Sequence, residues 1–353
     1  MTTSLERALD RNLGPELADP DVTDICINRP GEVFVKTSMG WQPRIEKPDL
    51  TFKECDLIAQ YIEGFARRDF HKDKSLLSGE LPGGERIYAV RPPTSEDDKI
   101  IFALRKPSVV DMTFEQFLSS GTFNMMSAPV PGLLPFQDEL LALKKSAEEA
   151  MFNGDFVAGQ GFLNKFFRLA INKKQNILIS GSTGVGKTSL MKALMSLIPA
   201  IERLITMEDA RELRLPNQPN HVHLRYDNEG KKEGLTAKDL MKAVLRMIPT
   251  RIFQGEIRGG EAWEFFINLC SDHPGSITTI HSDSVRGAFA MLMTRMREHP
   301  DCGDRYTDAF LMSLLRMQVH IVVQYKYITL PDGRESRFVT EIHYDPENKI
   351  VLG

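Results

Sequence analysis

The spacing of apolar positions lays out the chain before any chemistry is considered. Near the N-terminus "VTDICIN" and "EVFVKT" are strand-like runs on either side of Arg29-Pro30-Gly31, a turn signal, and together they predict a hairpin. "FKECDLIAQYIEGFARRDF" then spaces its apolar residues three and four apart, as a helix does. "RIYAVRPP" and "KIIFALRKPS" read as two more strands, each closed by proline. "TFEQFLSSG" reads as a short helix that Thr113 caps and Gly121 ends. Residues 122–136, "TFNMMSAPVPGLLPF", hold three prolines and no period, the pattern of a linker. Beyond it come two helical stretches and then an alternation of strand-like and helix-like segments: "NILIS", "RLITMED", "HVHLRY", a helix near 236–247, "RIFQGE", a helix near 259–271, and "GSITTIHS". A helical stretch and two final strands, "VHIVVQYKYI" and "RFVTEIHYD", complete the chain. The expected fold class is α/β: a mixed α+β N-terminal domain over 1–121, the linker 122–136, and a domain over 137–353 with a largely parallel sheet covered by helices.

Composition narrows this little. The 353 residues suit two or three domains, and 42% hydrophobic with 26% charged content is ordinary for a globular protein with sizeable cores. A net charge of −4 gives no global basic field, so direct sequence-specific nucleic-acid binding is not expected. "MTTSLERALDRNLG" is polar and mixed in charge, unlike a signal peptide, and no apolar run approaches the roughly 18 residues that span a bilayer. The expectation is a cytoplasmic protein. Cys26, Cys55, Cys270 and Cys302 are scattered, which indicates neither a disulfide framework nor a zinc ribbon.

The chemistry starts at "GSTGVGKTS". Gly181, Ser182, Thr183, Gly184, Val185, Gly186, Lys187, Thr188 and Ser189 follow the P-loop pattern, with a short apolar strand before it and a helical run after it. Glycines let successive N–H groups turn inward around phosphates at a helix N-terminus. Lys187 places a cation on the β- and γ-phosphates, and Thr188 offers a hydroxyl to Mg²⁺. ATP and Mg²⁺ are the expected cofactors. Four further segments belong with the loop. "RIFQGE" ends in Glu256 at a strand's C-terminal edge, where open α/β sheets bind ligands. "TMEDARE" offers Glu208, Asp209 and Glu212, of which Glu212 reads equally as a surface charge and Asp209 as a turn cap. "SITTIHS" delivers His281 to a strand end, suited to sensing a γ-phosphate, and "LRMIPTR" puts Arg246 and Arg251 around the "RIFQGE" strand. His273, before Pro274-Gly275, reads as a loop residue, and His221 and His223 read as structural.

The order P-loop, "MEDARE", "GEIRGGEA", "TTIHS" resembles that of the secretion traffic ATPases, and most closely the type IV secretion ATPases of the VirB-eleven family. The N-terminal segments "VTDICINRPGEV", "GGERIYAVRPP" and "ALRKPS" extend the resemblance over nearly the whole chain. It implies a RecA-like catalytic domain and a homo-hexameric ring on the cytoplasmic face of the bacterial inner membrane, held to it peripherally. Inner-membrane and coupling components of a secretion apparatus are the implied partners. ATP hydrolysis would drive pilus biogenesis and export of DNA or protein. It also implies roles for individual residues. Lys187 and Thr188 match the family's P-loop, Glu208 its acidic box, Glu256 its second carboxylate, His281 its histidine box, and Arg246 an arginine before that carboxylate's strand. Arg105 in "ALRKPS" matches an N-terminal arginine that reaches the phosphates, with Arg86 and Arg91 as further candidates. Glu208 is assigned as base or water-positioner, and Glu256 as a Mg²⁺ ligand through water; exchange of the two roles is the alternative. Two positions depart from the family: Pro249-Thr250-Arg251 replaces a common Pro-Asp-Arg, and Gln254 makes the "RIFQGE" strand less apolar. The competing readings are a type II secretion or type IV pilus motor, a nucleic-acid translocating motor, and a nucleotide-gated scaffold.

Overall fold

The computed structural model describes residues 3–107, 113–123, 133–226, 235–269 and 273–347. The chain opens on helix α1 (Ser4–Ala18), where Thr3 and Glu6 form a capping box. Its leucines 5, 9 and 13 point into a core, so the mixed charge that marks this segment in sequence belongs to the outer face of an amphipathic helix. Strands β1 (Val22–Ile27), β2 (Glu32–Thr37), β3 (Gly40–Trp41) and β4 (Ile45–Glu46) follow, then α2 (Phe52–Ala66), β5 (Leu76–Glu80), β6 (Arg86–Val90) and β7 (Ile101–Arg105). The expected hairpin is β1–β2, antiparallel around Pro30-Gly31. The sheet runs β3-β2-β1-β7-β6-β5 with β4 on β2, and every pairing is antiparallel. Its side chains divide by strand alternation. Ile25, Ile27, Val33 and Leu104 pack under α1 and α2, whereas Cys26, Phe34, Tyr88 and Ala103 face the other way, into a core shared with the C-terminal half.

Helix α3 (Phe114–Ser119) is short and starts on the Thr113 cap, as expected. Of the expected linker, residues 124–132 lie outside the described residues, and Pro135 and Phe136 already belong to α4 (Pro135–Phe152). From there the order is α5 (Phe156–Asn172), β8 (Ile177–Gly181), α6 (Lys187–Met195), β9 (Leu204–Glu208), β10 (His221–Arg225), α7 (Ala237–Arg246), β11 (Arg251–Gln254), α8 (Glu261–Leu269) and β12 (Ile277–Ile280). Helices α9 (Val285–Arg297) and α10 (Asp308–Gln318) then lead into β13 (Ile321–Thr329) and β14 (Glu335–Tyr344). Sequence periodicity suggests one helical stretch before the last strands. There are two, because Pro300 and Gly303 (φ +40°) break the run.

The strands pair in parallel, as β10-β9-β11 and β12-β8-β13, and among the described residues of this half only β13–β14 is antiparallel. The expected single ladder is split between β11 and β12. There Thr279 Oγ1 donates to Gly255 O (3.1 Å) and Ile257 N to Thr279 O (2.9 Å) across the seam. Helices cover both faces: Leu140, Phe166, Ile171 and Leu194 on one, and Leu240, Val244, Phe265 and Leu292 on the other. All six parallel strands point their C-terminal ends to one edge, which carries Gly181, Glu208, Gly255-Glu256 and His281.

The two halves of the chain touch along β10. Buried Arg203 sends Nη1 to Asn28 Oδ1 (2.5 Å) and Asn220 Oδ1 (2.7 Å) and Nε to Met247 O (2.9 Å), and it lies over the Trp41 ring. Arg29 Nη2 donates to Pro219 O (2.8 Å) at one end of the strand, and Arg225 N to Thr94 O (2.9 Å) at the other.

Candidate functional site

The P-loop leaves β8 at Gly181, and its glycines act for different reasons. Gly184 (φ +76°) and Gly186 (φ +104°) hold left-handed conformations that side chains disfavour. Gly181 is needed for room: a Cβ there would lie 2.3 Å from Tyr325 O, on the neighbouring strand β13. Past Gly186 the chain enters α6, whose first residue is Lys187.

A cleft of about 320 Å³ opens over the loop, lined by Thr183, Gly184, Gly186, Lys187, Thr188 and Ser189 and by the ends of β9, β11 and β12. Lys187 is buried, and its amine donates to Gly181 O (2.9 Å), Ser182 O (3.0 Å) and His281 Nδ1 (3.0 Å). An ammonium has three N–H bonds, so all are used. Burial holds the Lys187 amine below its ordinary value, with the Glu256 charge opposing. His281 accepts from Lys187 at Nδ1, which assigns its proton to Nε2, 2.6 Å from Glu256 Oε1. Glu256 accepts in turn from Arg258 Nε (2.6 Å), and Arg258 Nη1 reaches Asp209. Polar groups thus cross the cleft in one chain: Lys187, His281, Glu256, Arg258, Asp209.

Glu208 stands apart from that chain. It is buried, and its Oε1 accepts from Glu212 N and Leu213 N, both at 2.9 Å. Burial raises its carboxyl above the ordinary value, and the two backbone donors only partly offset this. Gly255 leaves it space, since a Cβ there would lie 3.2 Å from Glu208 Cγ. Glu212 lines the cleft and is exposed, while Asp209 both accepts from Ala210 N (2.8 Å) and meets Arg258.

Of the residues expected from sequence, the structure brings together the loop from Gly181 to Ser189, Glu208, Glu256 and His281. Others lie elsewhere. Arg105 pairs with Asp24 (2.7 Å) and, with Arg68, Arg86 and Arg246, lines a second cleft of about 570 Å³ between β6, β7 and the end of α7. Within one chain, therefore, neither Arg105 nor Arg246 borders the phosphate cleft. Arg91 is engaged inside the N-terminal half, donating to Phe70 O (2.7 Å) and pairing with Asp56 (3.1 Å). Arg251 sits at the N-terminal end of β11, opposite the loop, in a bidentate pair with Glu202 (both 2.7 Å). Thr250, the departure from Pro-Asp-Arg, is at that end too, where its Oγ1 accepts from Arg203 N (3.2 Å). His221 and His223 are structural: the rings lie 4.9 Å apart, and His223 Nδ1 is 2.7 Å from Thr206 Oγ1.

Sequence reasoning missed Arg258, which holds both Glu256 and Asp209. The signal was there: Arg258 follows Glu256 by two residues in the "GEIRGG" segment, the spacing that puts side chains of an extended segment on one side.

A P-loop whose lysine, histidine and two carboxylates meet at the C-terminal edge of a parallel sheet defines a P-loop nucleotide-binding protein. Residues 155–319 match the family model described as Type II/IV secretion system protein. The chain is 38% identical over 343 residues to the type IV secretion system protein VirB11 of Brucella suis, covering 96% of this chain and 90% of that one. It is 36% identical to PtlH of Bordetella pertussis, a type IV secretion system protein, over 88% of this chain and 87% of that one. The crystal structure of the Brucella suis VirB11 ATPase in complex with sulphate superposes with a TM-score of 0.86 at 37% identity, covering 98% and 99% of the two chains. The chain belongs to the VirB11 family of type IV secretion ATPases.

Proposed function

We propose that this protein hydrolyses ATP with Mg²⁺, as a homo-hexameric motor at the cytoplasmic face of a bacterial inner membrane, and drives substrate export and pilus assembly by a type IV secretion apparatus. The observation that carries this reading is the meeting of Lys187, His281, Glu256 and Glu208 around one phosphate-sized loop. In the hydrolytic step a water oxygen attacks the γ-phosphorus, the bond to the β,γ-bridging oxygen breaks, and Glu208 takes the water's proton. Its burial suits it to that task, because a carboxyl raised toward neutral pH is a stronger base than an exposed one. The donors in the cleft also suit Mg²⁺: a Thr188 hydroxyl and carboxylates, all hard oxygens. Glu256 already binds His281 and Arg258, so it would hold the ion through water. The metal supplies charge neutralisation on the β- and γ-phosphates.

Lys187 has no spare N–H, so an arriving γ-phosphate takes the place of one present acceptor. His281 is the only side chain among the three. Displaced from Lys187, His281 keeps its Nε2–H on Glu256, so arrival of a γ-phosphate is passed to that carboxylate, which fits a γ-phosphate sensor. The chain reads as two domains, 1–121 and 137–353, joined by 122–136. Arg105 and Arg246 face away from their own chain's phosphate cleft, so the arginine role implied by the family needs a neighbouring subunit.

The test is ATPase rate against protein concentration, with particle mass followed by light scattering. Turnover should rise as rings form, Lys187→Ala should lose nucleotide binding, and Glu208→Gln should bind MgATP without turning it over. Full activity in a monomer would remove the ring from the proposal, and full activity in Glu208→Gln would remove the base.

A further inference from the structure

Three features outside the chemistry above stand out. Glu264, His299 and Asp301 cluster at the spacing of metal ligands, but Lys238 lies between the two carboxylates, within 3.7 Å of Glu264 and bonded to Asp301. His299 Nδ1 also accepts from Asp301 N (3.0 Å), so this cluster is already satisfied. Phe152, Phe156 and Val157 are exposed where α4 meets α5, but nothing in the structure marks what covers them. The third feature is the β13–β14 hairpin, which extends past the sheet to the P-loop.

Tyr327 and Arg337 face each other across this hairpin. Tyr327 Oη donates to Gly184 O at 2.7 Å, and the Arg337 guanidinium lies over the Tyr327 ring, 5.5 Å from its centroid. Arg337 also closes on the loop itself, since a Cβ built on Gly186 would be 3.6 Å from its Nη1. We propose that this pair is a brace for the nucleotide site: Tyr327 is a positioning residue that fixes the Gly184–Val185 peptide, and Arg337 holds the Tyr327 ring in place. The inference rests on the nucleotide-binding reading of the P-loop.

The C=O and N–H of a trans peptide point to opposite sides of the bond. Holding the Gly184 carbonyl outward, on the hairpin, turns the Val185 N–H inward, into the loop. At present that N–H reaches Ser182 O at 3.5 Å, a long contact that a phosphate oxygen outcompetes. Gly184 has a left-handed φ and no side chain, so no Cβ resists a flip of this peptide plane. The hydroxyl removes that freedom before the nucleotide arrives, and so acts on affinity. A cation over a phenol ring also makes its O–H a better donor. The brace comes from the last hairpin of the chain, nearly 150 residues from the loop (143 between Gly184 and Tyr327), so no P-loop pattern contains it.

The test is MgATP and MgADP binding by calorimetry, with steady-state hydrolysis, on the full chain and on Tyr327→Phe, Arg337→Ala and Phe338→Ala. Tyr327→Phe is expected to weaken both nucleotides about two- to fivefold, the low end for one partly exposed hydrogen bond. KM should rise by a similar factor with kcat nearly unchanged. Arg337→Ala should weaken binding in the same direction, and Phe338→Ala, on the same hairpin but outside the brace, should leave it at the wild-type value. Unchanged affinity in Tyr327→Phe overturns the brace. So does an equal loss in Phe338→Ala, because the effect is then general to the hairpin. If wild type and Lys187→Ala bind nucleotide equally poorly, the nucleotide reading of the loop itself fails.

Discussion

Burial holds two histidines of β10 far below their ordinary value of 6.5: His221 at about 4 and His223 at about 3, the latter pushed further by His221 beside it. Nearby Arg211 and Lys99 act in the same direction, and Glu96 opposes them. The unfolded chain takes up protons at these two side chains as pH falls through about 6.5, whereas the native chain does so only near 4 and 3. Native stability from this pair is therefore complete above pH 6.5 and falls as pH drops from there toward 4. Melting temperature should be lower at pH 5 than at pH 7. His223→Gln, which can still bond Thr206, should flatten that slope; an unchanged slope would assign it to other groups. Arg258 yields a second prediction at this scale. It holds Glu256, the proposed Mg²⁺-water ligand, together with Asp209, and removing a group that orients such a ligand typically costs about 10–100-fold in activity or affinity. Arg258→Ala should lower ATPase turnover by that order and leave the melting temperature close to wild type, since its side chain is half exposed.

Strand pairing makes its own demand on the P-loop. Because β8 and β13 run in parallel register with Gly181 beside Tyr325, Gly181→Ala pushes a methyl into a backbone oxygen that no side-chain rotation can move. The expected cost is about 2–3 kcal/mol, the upper part of the range for overpacking a tight site, and thermal denaturation will measure it. This element also shows the reach of sequence reading. The strands that frame the site were legible because each is a short apolar run ending in its functional residue, as in "RLITME" and "SITTIH". β5 was not, since "LLSGE" has Gly79 and no alternation, and it is a strand only because β6 pairs with it. α1 had leucines four residues apart, but its charges and Pro15 masked them. The loop, Glu208, Glu256 and His281 were legible as boxes in order. Arg105 was legible as an arginine but not by its surroundings, because a motif does not encode which surface a residue faces. Tyr327 depends on a contact between distant segments, which local spacing does not encode.

At the scale of the molecule, the two halves meet around Arg203. It is fully buried with no carboxylate in bonding range among the described residues, and it is held by Asn28, Asn220, Met247 O and the Trp41 ring. Arg203→Ala removes these bonds together and should cost about 3 kcal/mol, by analogy with hydrogen bonds to charged groups. A calorimetric scan of Arg203→Ala should then separate the melting of the two halves further than a scan of wild type does. Placement of the arginine cleft leads to a further expectation. If Arg105 serves a neighbour's nucleotide, mixing inactive Arg105→Ala with inactive Lys187→Ala subunits should restore part of the activity; if it acts on its own chain, mixing restores none. The grip on β10 has a mechanical consequence. The N-terminal half holds this strand at both ends, at Pro219 and Asn220 below and at Arg225 above, and β10 is bonded in turn to β9, which ends in Glu208. A pull on the N-terminal half along the strand direction loads the β10–β9 bonds in shear, where they break together. A pull across the strand would unzip them one at a time. The fold is therefore stiff along one direction and yielding along the other, and force travelling the stiff direction ends at the residue assigned to activate water.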